Sequence, residues 1–126
     1  MFGNVHHIGY RVGNLDEAIE LYGRLFDAKL THRETLKDRN IEIAFVQAGQ
    51  SLVEFIQPLG VSADTGIQID HIAYETDDIE RDLNACRAKG IKIQDERPRT
   101  NSRGQKVAFL ANDAVNGARI QFVQPS

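Results

Sequence analysis

The stretch HHIGYRVGNLDEAI, residues 6–19, is echoed without a gap by DHIAYETDDIERDL, residues 70–83, at an offset of 64. The same offset sets IAFV (43–46) on VAFL (107–110), and an offset of 67 sets VEFIQP (53–58) on IQFVQP (120–125). The chain is therefore written twice. Copies of about 60 residues are too long for the units of a solenoid and point to a pseudo-symmetric pair of modules. In the echo His7 stands against His71, while His6 has no histidine to match it.

Each copy has one local grammar. Residues 4–12 are rich in strand formers. Over 15–26 the apolar residues Leu15, Ala18, Ile19, Tyr22, Leu25 and Phe26 recur at helical spacing, with Asn14 as N-cap and Asp16 and Glu17 at the positive end. Three strands are expected to follow, near 28–36, 40–48 and 51–58. The second copy repeats the series: strand 68–76, helix 78–89 stopped by Gly90, and strands near 91–97, 105–111 and 118–125. The expected fold is α+β, a single domain over 1–126 made of two βαβββ modules, about 1–60 and about 67–126. Four strands with one helix leave a sheet face bare, so the modules are expected to form a curved eight-stranded sheet around a metal-binding cavity.

Composition narrows the function. A chain of 126 residues can bury a core of its own, and its net charge of −3 argues against a general nucleic-acid binder, which needs a basic surface. No apolar run of membrane-spanning length and no basic-then-apolar leader occurs, so a soluble, cytoplasmic protein is expected. The single Cys86 has no partner for an internal disulfide and reads as a packing residue.

Strand side chains alternate, so parity decides which residues meet. Ile8, Tyr10 and Val12 share the face expected under the helix, and His7, Gly9 and Arg11 point away. Ile72 and Tyr74 likewise oppose His71, Ala73 and Glu75. Val53 and Phe55 oppose Leu52, Glu54 and Ile56, as Ile120 and Phe122 oppose Arg119, Gln121 and Val123. His7, Glu54, His71 and Gln121 thus occupy two pairs of related positions, each aimed at the concave face. Two imidazoles, a carboxylate and an amide oxygen suit a divalent transition metal, with places left for water or substrate oxygens. The lack of thiolates argues against a closed structural zinc site. Such a site could stabilise a developing enolate.

These residues resemble the vicinal oxygen chelate superfamily, which includes glyoxalase I, methylmalonyl-CoA epimerase, extradiol dioxygenases, fosfomycin-resistance enzymes and bleomycin-binding proteins. The resemblance covers essentially the whole chain and is nearest to the methylmalonyl-CoA epimerase family. HHIGYRVGNLDEAIELY resembles that family's opening, IDHIAYETDDIE its second start, and DERPRTNSRGQKVAFL (95–110) its most specific segment. It implies His7, Glu54, His71 and Gln121 as ligands of a divalent metal (cobalt, nickel, manganese or zinc). Gln121 departs from the pattern, since the family usually has glutamate there and in glyoxalase I that residue also moves the proton. With the halves exchanged, Glu54 becomes the expected base. The family's Lys-Ser-Thr-like turn before the last strand is replaced by NDAVNGA (112–118).

Three classes of function follow. The first is a metal-dependent epimerase or isomerase that removes the proton next to a thioester carbonyl. The second is another enzyme of the superfamily, such as a glyoxalase-type lactoylglutathione lyase. The third is a non-catalytic small-molecule, antibiotic-binding protein. The substrate implied is an acyl-CoA or glutathione thioester. Its anionic groups could meet Arg119, or the basic stretch Arg97, Arg99, Arg103 and Lys106, for which a solvated loop is the competing role. Asp38 and Glu42 are weak candidates for a second acid or base, and exposed sheet edges favour a homodimer.

Overall fold

The computed structural model describes residues 2–60, 67–115 and 119–126. Among them are eight strands: β1 (Phe2–Arg11), β2 (Lys29–Leu36), β3 (Ile41–Ala48), β4 (Ser51–Pro58), β5 (Gln68–Thr76), β6 (Arg99–Thr100), β7 (Lys106–Phe109) and β8 (Ile120–Gln124). Two α-helices accompany them, α1 (Leu15–Phe26) and α2 (Ile79–Ala88). The chain divides into two compact units, residues 7–70 and residues 71–126 together with the N-terminal stretch through His6. That stretch was expected in the first module. Its place in the second follows from close packing, since a Cβ added at Gly3 would lie 3.4 Å from the Glu75 carbonyl oxygen.

In the first unit the strands are hydrogen-bonded in the order β2-β3-β4-β1, with β1 parallel to β4 and the other pairs antiparallel. The second unit has the order β5-β8-β7-β6, with β5 parallel to β8 and the other pairs antiparallel. Each is a βαβββ module, the α+β class expected from the echo.

The helices begin alike because the sequence supplies the same two devices twice. Asn14 Oδ1 accepts the Glu17 amide at 3.0 Å, and Asp78 Oδ1 accepts the Arg81 amide at 3.1 Å. These caps satisfy donors that a helix start leaves open. The first helical amide in each case goes to a glutamine from the end of the last strand, Leu15 to Gln57 Oε1 at 2.8 Å and Ile79 to Gln124 Oε1 at 2.9 Å. The two QP dipeptides therefore tie each helix to its own sheet. Gly90, one residue past the C-cap Lys89, takes φ 77°, which suits glycine at the end of a helix.

Each helix buries an apolar stripe on one face of its sheet. Val12, Leu15, Ala18, Ala44, Val46, Val53 and Phe55 form the core under α1, and Ile79, Leu83, Cys86, Ala108, Leu110 and Phe122 the core under α2. Full burial of one such larger side chain is worth about 1.5–3 kcal/mol. Cys86 is a packing residue, and burial pushes its thiol pKa up, with Asp82 adding to the rise and Lys89 and Arg87 opposing it. Thr76 and Asp82 stand where the first unit has Val12 and Ala18. The Thr76 hydroxyl donates to the buried Asp82 carboxylate, which also takes the Arg81 Nε–H at 3.2 Å.

The strand expected near 91–97 is absent as such. Residue Ile93 makes one isolated bridge to Leu110, and the edge strand forms later, at Arg99–Thr100 against β7. Asp95 explains the shift: its side chain accepts the Phe109 amide at 2.7 Å, while Gln94 and Asp95 amides go to the Phe109 carbonyl. The chain bends around that carboxylate, and Pro98 lacks the N–H a ladder would need. Among the described residues no helix is long and apolar enough to cross a membrane.

Candidate functional site

The faces turned away from the helices carry the polar residues, as parity predicts. In the first unit Gly9 of β1 pairs with Glu54 of β4, which puts His7 and Glu54 on one face. Both are buried, and His7 Nε2 lies 3.3 Å from Glu54 Oε1. The His7 ring meets Phe45 of β3 edge to face, with centroids 5.3 Å apart at 81°. Phe45 is in turn the cross-strand partner of Glu54. Ile43, Phe45 and Ile56 supply the apolar surroundings.

The second unit repeats the arrangement. Ala73 of β5 pairs with Gln121 of β8, so His71 and Gln121 share a face, and both are buried. The His71 ring meets Phe109 edge to face, with centroids 5.6 Å apart at 81°, and Phe109 pairs across the strand with Gln121. Ala73, Val107 and Val123 form the surrounding cluster. Gln121 Oε1 is buried with no hydrogen-bond partner among the described residues. A buried acceptor left this way is costly, so the place suits an electropositive group. Each unit thus presents an imidazole and a carboxylate or amide oxygen on one face, donors that fit a divalent transition metal.

Phe45 and Phe109 were not singled out from the sequence, although the echo of IAFV by VAFL contained them. Each wedges its unit's histidine from the third strand of the module, and such edge-on contacts hold a ring in one orientation. His6, next to His7, is half-buried and falls in the other unit.

The basic candidates separate. The Arg119 guanidinium stacks 4.3 Å from the centroid of Phe109, the ring that also touches His71. Arg99 lies directly opposite Val107, hence on the face of His71 and Gln121, with its Nε 3.6 Å from Asp95 Oδ1. Arg97 goes elsewhere: it is exposed and lines a groove with Glu80, Arg87 and Glu96 beside α2. Lys106 is exposed, and Arg103 is half-buried. The weak second-base candidates do not join the site. Glu42 has the parity of Ala44, on the helix side of β3, where Arg33 donates to it at 2.9 Å and to Asp16 of α1 at 2.7 Å. Asp38 sits exposed in the turn of residues Lys37–Arg39.

With this geometry in view, comparison with known proteins is direct. The model of the Glyoxalase/Bleomycin resistance protein/Dioxygenase superfamily matches residues 6–109. The chain belongs to that superfamily. It is 24% identical to a mitochondrial methylmalonyl-CoA epimerase of Dictyostelium discoideum, covering 95% of this chain and 77% of that one. It is 32% identical to a lactoylglutathione lyase of Arabidopsis thaliana over 94% of its own length, but spans only 43% of that relative. The fold is shared with a methylmalonyl-CoA epimerase of Streptomyces coelicolor solved in complex with 2-nitronate-propionyl-CoA, with a TM-score of 0.86 at 24% identity over 100% of this chain and 99% of the other. Among its similar proteins the chain therefore has both epimerases and lyases, and a solved epimerase shares its fold.

Proposed function

We propose that this chain is a metal-dependent enzyme of proton transfer next to a thioester carbonyl, an epimerase or isomerase of acyl-CoA thioesters. His7, Glu54 and His71, joined by Gln121, hold one divalent ion, of cobalt, nickel, manganese or zinc. The observation that carries the reading is the buried, partnerless Gln121 oxygen on the face of His71, in the place whose counterpart is the carboxylate beside His7. When bound, a divalent ion supplies Lewis acidity against the charge that develops on a carbonyl oxygen.

The chain's own residues then have distinct tasks. Glu54 takes the proton from the carbon next to the carbonyl, and the His7 ring 3.3 Å away orients its carboxylate. Phe45 and Phe109 hold the two imidazoles and exclude water from the face they line. Arg119 and Arg99, on the second unit's polar-side strands, receive the substrate's anionic groups. The enzyme works in the cytoplasm as a homodimer, and a monomer at high micromolar concentration in light scattering overturns that part.

One observation favours a second reading. With Glu42 on the helix side and bound by Arg33, an opposite-face proton donor for epimerisation is not among the candidates first named. A glyoxalase-type lyase needs only one base, shuttling the proton between adjacent carbons, and Glu54 alone could serve it.

Metal-stripped protein titrated with Co²⁺, Ni²⁺ and Mn²⁺, beside Glu54→Ala and His71→Ala, tests the site. Tight binding of one ion per chain, weakened by both changes, supports it. Solvent deuterium incorporated into methylmalonyl-CoA then favours the epimerase, and turnover of the glutathione hemithioacetal of methylglyoxal favours the lyase. No binding, or binding indifferent to both substitutions, overturns the enzyme reading and leaves a small-molecule binding protein.

A further inference from the structure

The edge strand of the first unit, β2, departs from regular pairing at one residue. Leu30 lies opposite Val46 of β3 but His32 lies opposite Phe45, so Thr31 is an extra residue, a β-bulge, and its hydroxyl donates to the Phe45 carbonyl at 3.2 Å. In an unbroken register His32 would oppose Ala44 and Glu34 would oppose Glu42, both on the helix side. One extra residue exchanges the faces of all that follow. His32 and Glu34 are therefore set against Phe45 and Ile43, on the face of His7 and Glu54, while Arg33 between them is turned to Asp16 of α1.

On that face they form a pair. His32 Nε2 lies 2.9 Å from Glu34 Oε1, and both side chains are half-buried. The rings of His32 and Phe45 have centroids 6.3 Å apart, and Phe45 is also the ring against His7 and the cross-strand partner of Glu54. Glu54, Phe45 and His32 thus stand in one row across β4, β3 and β2. At roughly 4.8 Å between neighbouring strands, the outer two backbones are about 10 Å apart. Side chains reaching in from both ends of such a row can flank a single carbon held over the apolar Phe45 and Ile43.

We propose that His32 is the second acid–base residue of the reaction, giving a proton to the face of the substrate carbon opposite the one that Glu54 deprotonates, with Glu34 as the positioning residue that holds its ring. The inference rests on the proton transfer proposed for Glu54. In one direction Glu54 takes the proton from the carbon, and the electron pair of that C–H bond passes into the enolate. The enolate carbon then takes a proton from the His32 imidazolium, and its electron pair forms the new C–H bond on the other face. Glu54 ends protonated and His32 neutral, and each exchanges its proton with water before the next turnover. For the other epimer the two residues trade roles. A protonated imidazole carries two N–H groups, so with Nε2–H held by Glu34 the proton given is the one on Nδ1.

The test supplies (2R)- and (2S)-methylmalonyl-CoA separately to Co²⁺-loaded protein in D₂O, with inversion and deuterium at the α carbon both measured. Wild type should exchange and invert both epimers. His32→Gln should lower inversion at least about 100-fold yet still exchange, with retention, the epimer whose proton Glu54 takes. Its Co²⁺ affinity and melting temperature should match wild type. Glu34→Gln should lower kcat for inversion about tenfold or more with KM within about twofold, the split expected of a residue that orients another. Equal inversion by wild type and His32→Gln overturns the inference and leaves the Glu54 reading standing. Loss of exchange from both epimers alike in a folded His32→Gln protein also overturns it, since His32 would then serve the whole site and not one face. If His32→Gln does not fold, Glu34→Gln decides by the same one-sided exchange. Wild-type protein that exchanges neither epimer overturns the Glu54 reading and the inference with it.

Discussion

Replacing Gln121 by glutamate sets the two costs of a buried donor against each other. Gln121 is 8% exposed and packs in the Ala73, Val107 and Val123 neighbourhood, where glutamate has nearly the same shape and leaves the packing unchanged. The new carboxylate, in metal-stripped protein, stands in a place that already fails to satisfy a neutral amide oxygen. Charged groups lose more than neutral ones on such burial, so Gln121→Glu should destabilise the stripped protein by about 2–4 kcal/mol. For a domain of this size that lowers the melting temperature by on the order of 10 °C. A bound divalent ion reverses the balance. One more negative donor should tighten metal binding by about 10–100-fold, or about 1.4–2.8 kcal/mol, because affinity follows ligand charge. Since a ligand of the native state stabilises in proportion to the logarithm of its concentration over its dissociation constant, the deficit of Gln121→Glu should close by that amount at saturating Co²⁺. The assay is a set of thermal melts of both proteins over increasing Co²⁺ after chelator treatment. A stability gap that stays constant at every metal concentration would refute the argument, because Gln121 would then face no ion.

Three other changes probe the fold and the site. Thr76→Val removes the hydroxyl that donates to buried Asp82 while keeping the branched shape, at an expected cost of about 1.5–3 kcal/mol near pH 7, measured by urea denaturation. Burial opposes ionisation of Asp82, but the Thr76 hydroxyl and the Arg81 guanidinium outweigh it and hold the carboxyl below its ordinary range. A group whose folded pKa is depressed contributes stability above its unfolded pKa and loses it as pH falls through the folded value, so the gap between wild type and Thr76→Val should shrink below about pH 4. Gln57→Ala and Gln124→Ala each remove one bond to a first helical amide and should each cost about 1 kcal/mol in the same assay, with equal values a sign that the two units use the glutamine alike. Arg119→Met keeps an apolar chain over Phe109 but removes the charge; it should weaken binding of an anionic thioester several-fold in titration calorimetry and leave the Co²⁺ affinity unchanged.

Most of the architecture was legible because it is written twice. The offset of 64 places both helices, the first with its cap Asn14, while Asp78, expected as the first residue of the second helix, is its cap instead; strand parity alone puts His7 with Glu54 and His71 with Gln121. Where the reading stopped short, the deciding interactions join residues distant in the chain. The edge of the second sheet slid to Arg99–Thr100 because the Asp95 carboxylate bonds an amide fourteen residues on, and nothing in the local pattern of IKIQDER announces that bond. Arg97 and Arg99 look equivalent in a basic stretch, yet only Arg99 enters the ladder that turns it to the His71 side. The roles of Phe45 and Phe109 needed the third strand's register, which alternation gives within a strand but not between strands.

The places where the copies disagree carry more information than those where they agree. A buried polar or undersized residue destabilises a core unless something answers it, so a duplicated fold has no packing reason to acquire one. On the helix side the second unit has acquired Thr76 for Val12 and Asp82 for Ala18, with Cys86 in the place of Tyr22. Asp82 for Ala18 is answered within the chain, by Thr76 for Val12 and by Arg81. Gln121 for Glu54 is not answered among the described residues, where its buried oxygen has no hydrogen-bond partner. Gln121 is thus the departure whose answer is expected from outside the chain, on the proposal of a bound ion, whereas the buried Asp82 is satisfied from within.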